Sequence, residues 1–82
     1  MEEGALRLLI RGMLSDGRLP NRVLPRVAGS PGRGELCDVC REAVQKTRLA
    51  IETFTEGGRA ILFDSRCFYL WEQERRNLGL LP

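Results

Sequence analysis

Histidine is absent from the 82-residue chain. That one absence removes the commonest general base and the commonest metal ligand together. Neither Ser-His nor Cys-His catalysis can be assembled from these residues. Long apolar runs are missing as well, and nothing approaches the roughly 20 residues that a membrane-spanning helix requires. Charge of one sign is also lacking: 13 basic against 11 acidic residues leave a net charge of +2. A non-specific nucleic-acid binder would carry a larger basic excess. Aromatic residues are few, at 6%. The length excludes a second independent core, since chains devote about 100–200 residues to each domain. No internal repeat is visible.

The amino end, Met1-Glu2-Glu3-Gly4, is acidic where a secretory signal is basic. The expected compartment is the cytoplasm. Three cysteines fit a reducing compartment better than an oxidising one, where a disulfide framework would leave one thiol unpaired. Twelve of the basic residues are Arg, and residues 1–36 hold six of them, at positions 7, 11, 18, 22, 26 and 33. The arm formed by these residues is modestly basic, and the remainder is neutral.

Ala5, Leu6, Leu9, Ile10 and Met13 recur at helical spacing, with Arg7 and Arg11 on the other side. Glu2 and Glu3 complement the positive helix end, Glu3 pairs with Arg7 at i+4, and Gly17 supplies the stop. A helix is therefore expected within residues 1–17. It is too short to be stable alone, so its stripe must be core or a partner face. If the stripe is exposed, a homodimer through residues 5–14 or a partner that takes the helix in a groove is expected.

Residues 18–36 carry Pro20, Pro25, Pro31, Gly29, Gly32 and Gly34 and show no sustained period. They read as a long irregular connector, with Leu19, Val23, Leu24 and Val27 lying against the body. The glycine-rich segment Gly29 to Gly34 lacks the Gly-Lys-Ser/Thr ending of a phosphate-binding loop. Leu49 and Ile51, then Ile61 and Phe63, alternate across the turn at residues 56–58 and predict a β-hairpin. A three-residue loop pairs Ile51 with Phe63 and Thr53 with Ile61, which gathers the large apolar residues on one face. From Ser65 the period becomes helical: Cys67, Phe68, Trp71, Arg75 and Leu78 share a face, Asp64 or Ser65 caps the start, and Gly79 ends it. Phe68 and Trp71 are assigned to the core and Tyr69 to the surface.

Cys37-Asp38-Val39-Cys40 precedes the hairpin, and Cys67 lies in the first turn of the second helix. A tight Cys-x2-Cys loop presents two sulfurs to one metal, and a helix start presents residues i and i+3 to one point. Those helix positions are Asp64 and Cys67. Cys-x2-Cys, 23 residues, then Asp-x2-Cys would place three thiolates and one carboxylate around a tetrahedral Zn²⁺. Other uses of these residues stay open: a thiol redox pair at Cys37 and Cys40, a buried core thiol at Cys67, and a plain helix cap at Asp64.

A knuckle, a hairpin and a helix that returns the remaining ligands resemble a treble-clef zinc finger. Residues 6–76 also resemble a group of small uncharacterised bacterial proteins. The resemblance rests on Asp16-Gly17-Arg18-Leu19-Pro20, Cys37-Asp38-Val39-Cys40, Phe63, Cys67 and Trp71. The chain departs from that pattern at Asp64, where the group has His, and the group carries no activity over to this chain.

The expected fold is therefore α+β and treble-clef-like: N-terminal helix (1–17), connector (18–36) and a zinc-finger-like module (37–78) forming one small domain. A core of this size rarely supplies more than about 3–5 kcal/mol, so a structural zinc would provide much of the folding free energy. The expected function is a zinc-stapled binding or adaptor module, not an enzyme, with protein or nucleic acid as partner and no membrane. Arg66, Tyr69, Arg76, Arg7 and Arg11 are the candidate partner contacts. The alternatives are thiol-redox chemistry at Cys37 and Cys40 with Cys67 resolving, a catalytic zinc with an open position, and an interaction domain whose metal site has decayed.

Overall fold

The computed structural model describes residues 1–22, 27–55 and 57–79. Helix α1 spans Glu3–Ser15, strand β1 Val27–Pro31, β2 Leu49–Phe54, β3 Ala60–Asp64, and helix α2 Ser65–Gly79. The sheet is antiparallel, in the order β1-β2-β3. A helix, a loop bearing the cysteine knuckle, a β-hairpin and a second helix make a treble-clef-like α+β fold.

The hairpin takes the expected register, Ile51 opposite Phe63 and Thr53 opposite Ile61. It closes where Thr55 N donates to Arg59 O at 2.9 Å, and Gly58 adopts φ 83°, a left-handed conformation that glycine enters without a Cβ penalty. Glu56, the first residue of the expected turn, lies outside the described residues.

The connector differs from its irregular reading, because Val27–Pro31 pairs along the whole of β2. All five of its residues are exposed. A strand solvated on both faces needs no apolar alternation, so its sequence carries no period to read. Of the apolar residues expected against the body, Leu19 is buried but Val27 is exposed; Val23 and Leu24 lie outside the described residues. The buried Leu19 is followed by Pro20, whose carbonyl accepts from Trp71 Nε1 at 2.8 Å, so the start of the connector is tied to α2.

Glu2 caps α1 by accepting from Ala5 N at 2.7 Å, and Gly17 follows the helix at φ 85°. Leu6, Ile10, Met13 and Leu14 are buried, whereas Leu8 is 67% exposed. The stripe is thus core, and the condition set for a homodimer through residues 5–14 is not met. Met1 O accepts from Arg66 Nη2, while Arg7 and Arg11 reach Glu74, so the two helices run alongside in the same sense. Phe63, Phe68 and Trp71 form an aromatic trio with centroids 5.2–5.6 Å apart beneath α2. Leu78, expected on the same face, is exposed instead, and Arg75 lies over the Trp71 ring at 5.5 Å. A guanidinium there buries its stem and keeps a cation–π contact.

Candidate metal centre

The knuckle is a small loop stitched by backbone hydrogen bonds. Leu36 bridges Ala43, Val44 N donates to Glu35 O at 2.7 Å, and Cys37 N donates to Glu42 O at 3.0 Å. The chain reverses through Arg41, which sits at φ 64°. A non-glycine residue there costs roughly 1–2 kcal/mol, which the surrounding bonds must offset. Asp38 fastens the loop to the outer side of β3: its N–H donates to Leu62 O and its Oδ2 accepts from Leu62 N, both at 2.8 Å. The middle of the Cys-x2-Cys segment therefore registers the knuckle against the hairpin.

That registration brings Cys37 and Cys40 to the start of α2. The sulfurs of Cys37, Cys40 and Cys67 all lie within 4.8 Å of one another, and none is in a disulfide. Three thiolates on one Zn²⁺ at about 2.3 Å would have sulfur–sulfur separations near 3.8 Å, so closure to a metal needs only a small contraction. Cys37 and Cys67 are buried and Cys40 is half-buried. Three soft sulfur donors suit a thiophilic metal ion, and they are one donor short of a closed tetrahedral site.

The electrostatics favour a thiolate at Cys37. A hydrogen bond from the Cys67 thiol, with further bonds from the backbone N–H groups of Asp64, Cys40 and Val39, draws it down to about 5 against the effect of burial. Val39 N stands 3.4 Å from the sulfur. Cys67 is pushed up, first by that same hydrogen bond to Cys37 and then by burial. Burial also raises Cys40, and the negative Cys37 adds to it. One thiolate is held ready while its neighbours keep their protons, and a cation among them would relieve the crowding of negative charge.

Of the two roles expected of Asp64, the structure shows the helix cap. Its Oδ1 accepts from Arg66 N at 2.8 Å, which caps α2, and its Oδ2 pairs with Arg48 Nη1 at 2.6 Å. Among the described residues no carboxylate joins the three sulfurs. Asp64 serves the centre through its backbone N–H to Cys37, and it is 2% exposed. Sequence reasoning missed Arg48 and Asp38, because neither an ion pair 16 residues long nor a strand-edge clasp leaves a local pattern.

The candidate partner residues divide into two groups. Arg7 donates to Glu74 Oε2 at 2.8 Å and Gln73 Oε1 at 2.6 Å, and Arg11 bonds Glu74 Oε1, so both guanidiniums link the helices. Arg66, Tyr69 and Arg76 are exposed on α2. Arg76 pairs with Glu72 at 3.2 Å, and the Tyr69 hydroxyl accepts from Gln73 Nε2 at 2.9 Å. Tyr69 and Arg76 make no contact with each other among those hydrogen bonds.

No protein-family model matches the chain, and no curated protein or solved structure does so.

Proposed function

We propose that this chain is a zinc-stapled binding module in which Cys37, Cys40 and Cys67 hold one structural Zn²⁺. The reading is carried by three sulfurs from two distant segments meeting within 4.8 Å at the junction of knuckle and second helix. Bound there, the metal would cross-link the knuckle, already hydrogen-bonded to β3, to the first turn of α2. The hydrogen-bonded Cys37 thiolate supports it, since metal binding requires deprotonated sulfur. The treble-clef-like order of the elements supports it too. With Asp64 engaged by Arg48 and the helix cap, the fourth position is left to an external donor such as water. No enzymatic role is assigned: no histidine stands near the centre to act as base.

Redox use of Cys37 and Cys40 shares the lowered thiol, but a reactive thiol must also be reachable, and Cys37 is 0% exposed. Elemental analysis of protein purified without chelator decides the matter. One zinc per chain, with three thiols that react only after chelator is added, is the expected result. No stoichiometric zinc, or rapid thiol modification that chelator does not alter, overturns the proposal.

A further inference from the structure

Between the end of α1, the knuckle and the hairpin tip lies a cleft of about 510 Å³. That volume falls within the roughly 300–1,000 Å³ of pockets that hold compact ligands. Its floor is apolar, built mainly from Leu9, Met13, Leu19, Val39 and Ile61. Its charged lining is three arginines, Arg18, Arg41 and Arg59, against one carboxylate, Asp38, whose Oδ2 is already held by Leu62 N. The arginines come from three separate segments of the chain, so their convergence is a product of folding.

The three guanidiniums are held to different degrees. Arg59 Nη2 donates to Arg18 O at 2.6 Å, which positions the group, and Arg59 has no carboxylate partner among the described residues. Arg41 lies 3.8 Å from Asp38 Oδ1, at the limit of an ion pair, and its side chain is 73% exposed. Arg18 shares Asp16 at 2.8 Å. Arg41 also occupies the left-handed position of the knuckle, where glycine would be free of strain. The cost of an arginine there accompanies a cation placed at the cleft.

We propose that this cleft binds a short acidic segment of a protein partner, with an apolar side chain on the floor and a carboxylate on Arg59 and Arg41. Arginine clusters recognise carboxylates by paired, charge-assisted hydrogen bonds, and the apolar floor supplies the desolvated contact that such pairs need. A single-stranded nucleic acid would look for exposed aromatic faces beside the cations. Tyr69 and Phe54, the exposed aromatics, are not part of this cleft. Cys40 of the sulfur cluster is part of it, so the inference rests on the zinc-stapled reading and names that module's partner chemistry.

The test uses the full zinc-loaded chain and a fluorescein-labelled peptide of alternating Leu and Glu, read by anisotropy. Peptides of alternating Ser and Glu and of alternating Leu and Lys, and oligouridine, serve as comparisons. The Leu-Glu peptide is expected to bind best, and Arg59→Glu and Arg41→Glu each to weaken it by about tenfold, as for a lost charge pair of about 1.4 kcal/mol. Arg33→Glu makes the same change in net charge outside the cleft and is expected to leave binding unchanged. An equal loss with Arg33→Glu, equal binding of the Ser-Glu peptide, tighter binding of oligouridine, or no binding of the Leu-Glu peptide overturns the proposal. Zinc content and thermal melting are measured on every variant. Full zinc loading without peptide binding removes this inference alone, whereas absence of zinc removes the metal reading itself.

Discussion

Arg48 and Asp64 are joined by an ion pair, Nη1 to Oδ2 at 2.6 Å, beside a recess that Cys40 and Cys67 also line. The carboxylate is buried, and its other oxygen accepts from the start of α2. A group committed twice in this way neutralises Arg48 and caps a helix. Releasing it to a metal would leave a guanidinium and an N–H to find new partners.

Replacing the carboxylate therefore separates capping from ligation. Asp64→Ala is expected to lower stability by about 1–2 kcal/mol through the lost cap and hydrogen bond while zinc stoichiometry stays at one per chain. Asp64→His, which offers an imidazole at the same position, is expected to bind zinc more tightly in competition with a chromogenic chelator. Loss of zinc in the Ala variant, with its fold intact, would make Asp64 a ligand after all.

Cys37 makes the metal-free, reduced chain sensitive to pH. Its thiol is lowered from 9.0 to about 5, so its contribution is full above 9.0 and is lost as the pH falls through about 5. Cys67 is raised, so its contribution is full below its ordinary 9.0 and is lost as the pH rises beyond that. Stability by denaturant titration should accordingly peak near the ordinary thiol value and fall on both sides. Cys37→Ser should flatten the acid limb. With zinc bound, acidification should release the metal, because its ligands must stay deprotonated.

Glu74 holds the two helices together from a site 3% exposed, bonding both Arg7 and Arg11. Burial pushes its carboxyl up, but the hydrogen bonds from Arg11 and Arg7 outweigh that and leave it below its ordinary 4.5. Its contribution is then full above 4.5 and disappears as the pH falls below it. Glu74→Gln should cost about 1–3 kcal/mol near neutrality and remove this part of the acid dependence, both measurable by chemical denaturation.

Two glycines of one segment should respond oppositely to alanine. A Cβ on Gly32 would overlap the carbonyl oxygens of Val44 and Gln45, so the turn entering the knuckle would have to move apart. Gly32→Ala is expected to cost about 1–3 kcal/mol. Gly29 has open space around its Cβ position, and Gly29→Ala should be neutral or stabilise by less than about 1 kcal/mol. Thermal melting of the two variants checks the contrast.

The elements with strong local periods were legible before folding. Leu6, Ile10 and Met13 at helical spacing mark α1, Ile51 and Phe63 mark the hairpin and its register, and Phe68 with Trp71 marks the inner face of α2. Strand β1 was not legible, because Val27 to Pro31 is solvated on both faces and is held by its ladder to β2. Nor was the use of Arg7 and Arg11, since their partner Glu74 is more than 60 residues away.

At the candidate centre the division is the same. The spacing of Cys37, Cys40 and Cys67 by itself determined that three sulfurs could converge, because a knuckle and a helix start impose local geometry on their side chains. Only the tertiary structure decided what becomes of Asp64 and which arginines share a cleft. Those outcomes depend on which distant segments are brought together: Arg48 meets Asp64, and Arg18, Arg41 and Arg59 come to line one cleft, only when the hairpin, the knuckle and the first helix have packed.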